Sequence, residues 1–342
     1  MLTINMVLLQ TIIAEISTLD GSVAHALPRV HVCAILLPVA IRLRVPKPEL
    51  FSFAEAMKYT TRGFDDPRYV VGEEFISTAI AGSPPERITV IRVSHEPETL
   101  AVELLRDGAG ARGDARGVER YVRRWFDLDR DLSEWEDLVR RAPEPVRSAF
   151  SRLLGFRLVA LPSLFEALAW CIIGQQIHLG FAYRLKRRLS ERYAAWADVE
   201  GRRHYLFPTP AALAAASREN LREMQLSYRK ADYLIGLAAL IRDGELSEDA
   251  VAGLGDTPSM MRRLRQVRGI GEWSAAYGLL KGLGRRDAVP YGDSGLAAAY
   301  AALFGTADKP SRGELEDFFS LFPGWEGYAA FYLWRTLLTD VA

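Results

Sequence analysis

The sequence predicts an α+β chain that is mainly α, with a small antiparallel sheet first and helices after it. Three observations carry this. Residues 69–80, 88–93 and 100–105 are rich in β-branched side chains and partly alternate, as strands do. From residue 132 onward helix-start signals recur at short intervals. The chain has 342 residues, 49% hydrophobic and 25% charged, enough for two or three packed units of an ordinary globular protein.

Taken in order, residues 1–45 stand apart. They hold apolar runs at 6–13 and 30–41, separated by Asp20-Gly21 and Pro28. Neither run reaches the roughly 20 residues that span a bilayer. No basic residue precedes Arg29, so a secretory leader is not expected. We expect a non-native extension from an upstream start assignment, with Met57 nearer the start of the core; the rival is a genuine amphipathic appendage.

Residues 46–130 then form the α+β unit. A short helix is expected over 52–62, and Ser94-His95-Glu96-Pro97 joins the last two strands as a hairpin. A glycine-rich loop over 108–117 precedes a helical stripe of Val118, Tyr121, Val122 and Trp125. Residues 131–342 read as all α. Ser163 with Glu166 and Ser311 with Glu314 have capping-box spacing. Thr209-Pro210 and Thr257-Pro258 place a cap before a proline at the first helical position.

Charge and cysteine content exclude some classes. With 43 basic and 43 acidic side chains the net charge is zero, which does not announce a nucleic-acid binder. The basic residues are nevertheless clustered: Arg184, Lys186, Arg187, Arg188 and Arg192; Arg229-Lys230; and Arg262, Arg263, Arg265 and Arg268. The two cysteines, Cys33 and Cys171, form neither a disulfide framework nor a zinc or iron–sulfur cluster, and they fit a reducing cytoplasm.

The last arginine cluster leads into the stretch around which the chain is arranged. Gly269-Ile270-Gly271 separates two helical patterns, and Ile270, Trp273, Ala276, Tyr277 and Leu280 recur at helical spacing after it. Two glycines allow a sharp turn and leave the first amides of the next helix uncovered. Those amides lack intrahelical partners and carry the positive end of the dipole, so a phosphate is their natural ligand. Pro290-Tyr291-Gly292-Asp293 then puts one carboxylate at the start of another helix. An anion binder followed by an isolated acid suggests chemistry beside a polynucleotide backbone.

Val267-x-Gly269-Ile270-Gly271-x-Trp273-Ser274-Ala275-x-Tyr277, followed by Pro290-x-x-Asp293, resembles the helix–hairpin–helix/Gly-Pro/Asp superfamily of DNA repair glycosylases. Within it, the 3-methyladenine glycosylase II branch is most similar. FEALAWCIIGQQIHLGFAYRL (165–185) and WEGYAAFYLW (325–334) agree with it. The likeness runs from about residue 49 to the C-terminus and is strongest after Pro162. It implies two helical lobes with a groove between them, a scaffolding N-terminal unit, and a monomer acting on double-stranded DNA that contains alkylated bases. It implies no required cofactor and a cytoplasmic, nucleoid-associated enzyme.

Residue by residue, the resemblance makes Asp293 the catalytic group. Alkylation at N3 or N7 charges a purine and weakens its glycosidic bond, so one carboxylate suffices to stabilise the cationic sugar and orient water. Ordinary glycosidases need a second acid for the leaving group. The bland alternative for Asp293 is a plain helix cap, and the two roles are compatible. Asp287 is the nearest decoy. Trp273, Tyr277 and Trp325 are expected to form the base pocket, where an electron-poor base stacks on electron-rich faces; Trp334 and Tyr332 are expected in the core.

Gly269, Gly271 and Arg268 are expected to hold the DNA backbone, and Gln176 or Ile177 to fill the gap left by the extruded nucleotide. The carbonyls of Arg265, Val267 and Gly269 would hold a structural monovalent cation. Members with lyase activity carry a lysine where this chain has Trp273, so a monofunctional glycosylase is expected. Glu326 departs from the pattern, because relatives often have arginine there. Two rivals stand beside this: a glycosylase for oxidised, deaminated or mismatched bases, and a non-catalytic helix–hairpin–helix DNA-binding protein.

Overall fold

The computed structural model describes residues 41–61, 66–82, 87–107 and 115–337. All lie within one compact unit, Ala40–Ala342. The N-terminal apolar runs, apart from Ile41, fall outside the described residues.

Five antiparallel strands come first: β1 (Arg42–Pro46), β2 (Tyr69–Val71), β3 (Phe75–Ala81), β4 (Ile88–His95) and β5 (Thr99–Arg106), in the order β1-β5-β4-β3-β2. β1 pairs with β5 from Arg42 opposite Glu103 to Pro46 opposite Thr99. The sheet therefore begins inside the segment assigned to a 1–45 extension, and that boundary moves. The Glu96 carboxylate in the β4–β5 turn accepts from Thr99 and from Arg44 and Arg42 of β1, and these contacts hold its pKa below the usual range. Helix α1 (Phe53–Thr61) buries Phe53, Ala56 and Tyr59. A core starting at Met57 would lose β1 and half of this helix, which corrects the second expectation about the N-terminus.

The apolar run at 69–80 is two strands rather than one. The Gly72 amide donates to the Phe75 carbonyl at 2.9 Å, closing a turn. A Cβ at Gly72 would lie 2.2 Å from the Phe75 ring, so any side chain there would have to displace that ring.

Helices α2 (Ala115–Trp125), α3 (Ser133–Arg141), α4 (Val146–Ser151), α5 (Leu164–Gly174) and α6 (Leu179–Tyr193) follow. The expectation of an all-α region after 131 then fails once. β6 (Trp196–Val199) and β7 (Arg202–Tyr205) form a hairpin that lies against β3 and β4. Ala197 and Leu206 pack there on Ala79, Ile88 and Val90, and Ser77 Oγ sits 3.0 Å from His204 Nε2. The opposite face of the sheet enters the main core through Ile76, Ile91, Val93 and Val102. Covering both faces is what blurs the alternation of β3 and β4.

Nine further helices follow among the described residues: α7 (Pro210–Ala214), α8 (Arg218–Glu223), α9 (Tyr228–Arg242), α10 (Glu248–Ala252), α11 (Thr257–Arg265), α12 (Glu272–Leu283), α13 (Ser294–Phe304), α14 (Arg312–Ser320) and α15 (Glu326–Thr336). One apolar cluster runs from Val45 to Leu333. The expected division into 46–130 and 131–342 marks a change of secondary structure without a break in the core. Tyr59 of α1 meets Phe331 of α15 with ring centroids 4.8 Å apart.

The caps hold with two exceptions. Thr209 caps α7 ahead of Pro210, and Ser311 with Glu314 makes a complete capping box on α14. Ser163 accepts from the Glu166 amide, but the Glu166 side chain does not return the bond. It lies buried within 3.3 Å of Arg68 and 3.2 Å of Lys186, and Lys186 also pairs with Asp66 at 2.9 Å. The basic run at 184–192 is thus not wholly a surface patch. For α11 the cap is Asp256 rather than Thr257, whose hydroxyl donates to Asp287 instead.

The contact that matters most for function is α5 against α12. Helix α5 is buried from Leu164 to Ile173. A Cβ on Gly278 would lie 2.6 Å from Leu168 Cδ2, and one on Gly282 would lie 2.8 Å from Leu164 Cα. Glycines four residues apart present one face of α12, so the two backbones approach closely. The far end of α12 is capped from the N-terminal unit: Arg124 donates to the Gly282 carbonyl, and Arg130 donates to that of Gly284 at 2.8 Å.

Candidate active site and nucleic-acid interface

Asp293 is the N-cap of α13, and Gly292 before it has φ +85°. Its Oδ1 accepts from the Leu296 amide and from Trp334 Nε1, both at 2.9 Å. Its Oδ2 accepts from Trp273 Nε1 at 2.8 Å. Three neutral donors therefore fix the carboxylate in place. Among the described residues no lysine or arginine forms an ion pair with it, so its negative charge is left for something else to meet. Gly295 belongs to the same design, because a Cβ there would lie 2.9 Å from Asp293 Oδ1 and 3.5 Å from the Trp334 ring.

This carboxylate opens onto a cavity of about 380 Å³ walled by Trp273, Tyr277, Trp334, Tyr59 and Trp170. Trp273 and Tyr277 have ring centroids 5.7 Å apart, and Tyr277 and Trp334 5.9 Å. Ile177, His178 and Leu179 also line it, and Leu179 is 42% exposed. Flat apolar walls with one unneutralised acid suit a planar cationic ring attached to a sugar.

Trp325 does not belong to this cavity, which corrects its assignment to the base pocket. It is 1% exposed, packs against Trp135 and Tyr328, and donates from Nε1 to Glu134 at 2.8 Å. The Arg286 guanidinium covers its ring at 4.1 Å. Trp334, expected in the core, takes the pocket place instead. Tyr332 is a core residue as expected, with its hydroxyl on the Phe156 carbonyl. Tyr291 stands outside the cavity, stacked under Arg312 at 3.6 Å. Asp287 holds Arg285 and Thr257 beyond the end of α12. Glu326 opens α15 and is not among the residues lining the cavity.

Separating the two tryptophans gives a test. Trp334→Phe keeps a ring but removes one donor from Asp293, so base release should slow by about tenfold, with thermal stability little changed. Trp325→Phe should do the reverse, lowering the melting temperature and leaving release intact. Single-turnover release beside a melting curve for each variant checks both.

The hairpin lies between α11 and α12. Gly269 has φ +91°, and a Cβ there would lie 2.4 Å from the Tyr233 ring. Gly271 is the N-cap of α12; no side chain caps the helix start, and a Cβ there would meet nothing within 4 Å. These amides border a groove of about 710 Å³ that also carries Arg229, Lys230, Arg265 and Arg268. Arg262 and Arg263 are engaged elsewhere, on Ser259 and on the Glu245 carbonyl. Lys230 donates to the Ile173 carbonyl at 2.8 Å, and burial lowers its pKa.

The turn Gly174-Gln175-Gln176-Ile177 joins α5 to α6. Gln176 is exposed at its tip with φ +55° on the hairpin groove, while Ile177 packs on the core and lines the cavity. His178 caps α6 by accepting from the Phe181 amide. Cys171 is buried beneath, and burial pushes its thiol pKa well up. Two of the carbonyls considered for a cation already accept bonds: Val267 from the Ile270 amide, and Gly269 from Gln175 Nε2.

The model for the HhH-GPD superfamily base excision DNA repair protein matches residues 169–323. A DNA-3-methyladenine glycosylase of Bacillus subtilis (strain 168) is 30% identical over 291 residues, covering 85% of this chain and 95% of that protein. The chain belongs to the DNA-3-methyladenine glycosylases of the helix–hairpin–helix/Gly-Pro/Asp superfamily. The DNA-3-methyladenine glycosylase 2 of Escherichia coli (strain K12) is 27% identical over 57% of this glycosylase and 66% of its own length. Among solved structures, a 3-methyladenine DNA-glycosylase from Archaeoglobus fulgidus has the same fold, with a TM-score of 0.73 at 22% identity. It covers 88% of this glycosylase and 100% of its own chain. The family match ends at 323, so it spans the hairpin and Asp293 but stops short of Trp334. No helix among the described residues is long and apolar enough to cross a membrane.

Proposed function

We propose that this glycosylase hydrolyses the N-glycosidic bond of purines alkylated at N3 or N7 in double-stranded DNA, and that it leaves the backbone intact. The observation that carries the proposal is Asp293, held by two indole donors at the edge of an aromatic cavity with no cation paired to it. The hairpin amides, with Arg268 and Arg265 beside them, grip the phosphate chain. Gln176 enters the duplex where the nucleotide leaves, a role that its exposure suits better than the packing of Ile177.

Once the base stands between Trp273, Tyr277 and Trp334, the bond from C1′ to the base nitrogen breaks. Its electron pair goes to the base and discharges it. Asp293 stabilises the positive sugar, and the water that adds to C1′ gives up its proton to this carboxylate. No acid is needed for the leaving group, because the base arrives charged.

Lyase chemistry would need an amine that reaches the sugar. Lys281, the lysine nearest Trp273 on α12, is buried, donates to the Val159 carbonyl, and lies 4.6 Å from the Tyr59 ring centroid. That placement supports a monofunctional enzyme.

A monovalent cation at the hairpin belongs to the same proposal. The carbonyls of Arg265, Val267 and Gly269 are hard oxygen donors, and the latter two each keep a second lone pair beyond the bond already accepted. It would stiffen the turn and take no part in bond cleavage. The test of function is chromatography of bases released from methylated duplex DNA. Release of 3-methyladenine and 7-methylguanine, with strand breaks appearing only after alkali, is the expected result; breaks without alkali would reject the monofunctional assignment.

A further inference from the structure

We infer that Gln175 is a positioning residue that ties the phosphate-gripping hairpin to the turn whose tip enters the duplex, so that seating one sets the other. The inference rests on the function proposed above and adds a residue to it.

Gln175 is the C-cap of α5, and its own amide donates to the Cys171 carbonyl at 3.0 Å, so its backbone is fixed. Its side chain crosses to the hairpin. Nε2 donates to the Gly269 carbonyl at 2.9 Å and lies 3.4 Å from Ser274 Oγ. A carbonyl only accepts, so the amide nitrogen must be the end that faces it. Gly269 in turn is held by its left-handed backbone and by the Tyr233 ring beneath it.

The residue after Gln175 is Gln176, exposed on the same groove. Lys230 holds the other side of this turn through the Ile173 carbonyl but is not hydrogen-bonded to the hairpin. A phosphate seated on the hairpin amides therefore fixes Gly269, Gly269 fixes Gln175, and Gln175 fixes where Gln176 projects. Gln175 lines the hairpin groove and not the aromatic cavity. Its loss should slow extrusion of the base and leave bond cleavage itself alone.

Two substitutions separate these steps. Gln175→Leu keeps the bulk and removes the donor, and Gln175→Glu sets an acceptor against an acceptor. Duplex oligonucleotides carrying one 7-methylguanine are used in two forms, with the lesion paired to cytosine or in a one-nucleotide bulge, where little unpairing is left to do. With the paired lesion, single-turnover release should be about tenfold slower for the leucine variant, and slower again for the glutamate variant. In the bulge both should come within about twofold of the wild type. Affinity of the leucine variant for undamaged duplex, read by fluorescence anisotropy, should stay within about twofold of the wild type; the glutamate variant, whose added charge faces the phosphate groove, is compared at saturating enzyme.

Equal slowing in both contexts, or none with the paired lesion, would overturn the inference. Wild-type release with unmoved variants overturns it alone. A wild type inert on both substrates removes the proposed function, and this inference with it.

Discussion

Asp293→Asn should abolish base release, by about a thousandfold or more, while binding to DNA with an abasic site survives. The substitution is close to isosteric, and the asparagine oxygen still accepts from the Leu296 amide, so α13 keeps its cap. Two things change at the chemistry. The negative charge that would face the cationic sugar is gone, and the new NH2 group must point at an indole N–H, because Trp273 and Trp334 donate to opposite oxygens. Single-turnover release with methylated DNA, beside anisotropy with an abasic duplex, checks both halves. Activity within tenfold of the wild type would sink the mechanism.

Gly271→Leu is the second large effect. The backbone there has φ −89°, which any residue adopts, and a Cβ meets nothing, so the fold should tolerate the change. The side chain would instead project over the uncapped amides at the start of α12. Affinity should fall by about ten- to a hundredfold, and by the same factor for every DNA sequence, since a phosphate contact carries no sequence information. Gly269→Ala should behave differently. It would strain a left-handed backbone by about 1–3 kcal/mol and press a methyl group on the Tyr233 ring, so stability falls together with binding. Melting curves and salt-controlled titrations on duplexes of different sequence distinguish the two glycines.

The parts of the site legible in the sequence are those that local chemistry dictates. The hairpin needs its glycines at fixed spacing, and an aspartate after a Pro-x-Gly turn caps the helix it begins, so both stand out in a linear reading. The choice between Trp325 and Trp334 does not. Nine residues separate them, about two and a half turns of helix, so the two point to opposite sides. Which side meets Asp293 depends on how α15 docks on α13, and neighbouring letters do not record that.

Tertiary contacts also overrode local patterns elsewhere. Glu166 sits at capping-box spacing from Ser163, yet buried Arg68 and Lys186 claim its carboxylate. The β6–β7 hairpin turns on Glu200-Gly201, both with positive φ, and its strands are only four residues each. Glutamate is not a turn signal, and strands this short have too few residues for an alternation to be read. The small α+β unit was visible from composition. Its caps on the end of α12 were not, because Arg124 and Arg130 are ordinary surface residues until the fold brings Gly282 and Gly284 to them.

The bare faces of Gly278 and Gly282 have a mechanical consequence. Because α5 and α12 meet almost backbone to backbone, neither slides or pivots on the other without collision. The probing tip at the end of one and the anchor at the start of the other therefore keep a constant separation. Beyond the two turns and the Gln175 link between them, compliance on meeting a damaged site is left to the nucleic acid, so the ease with which a lesion's surroundings deform should decide how quickly it is found.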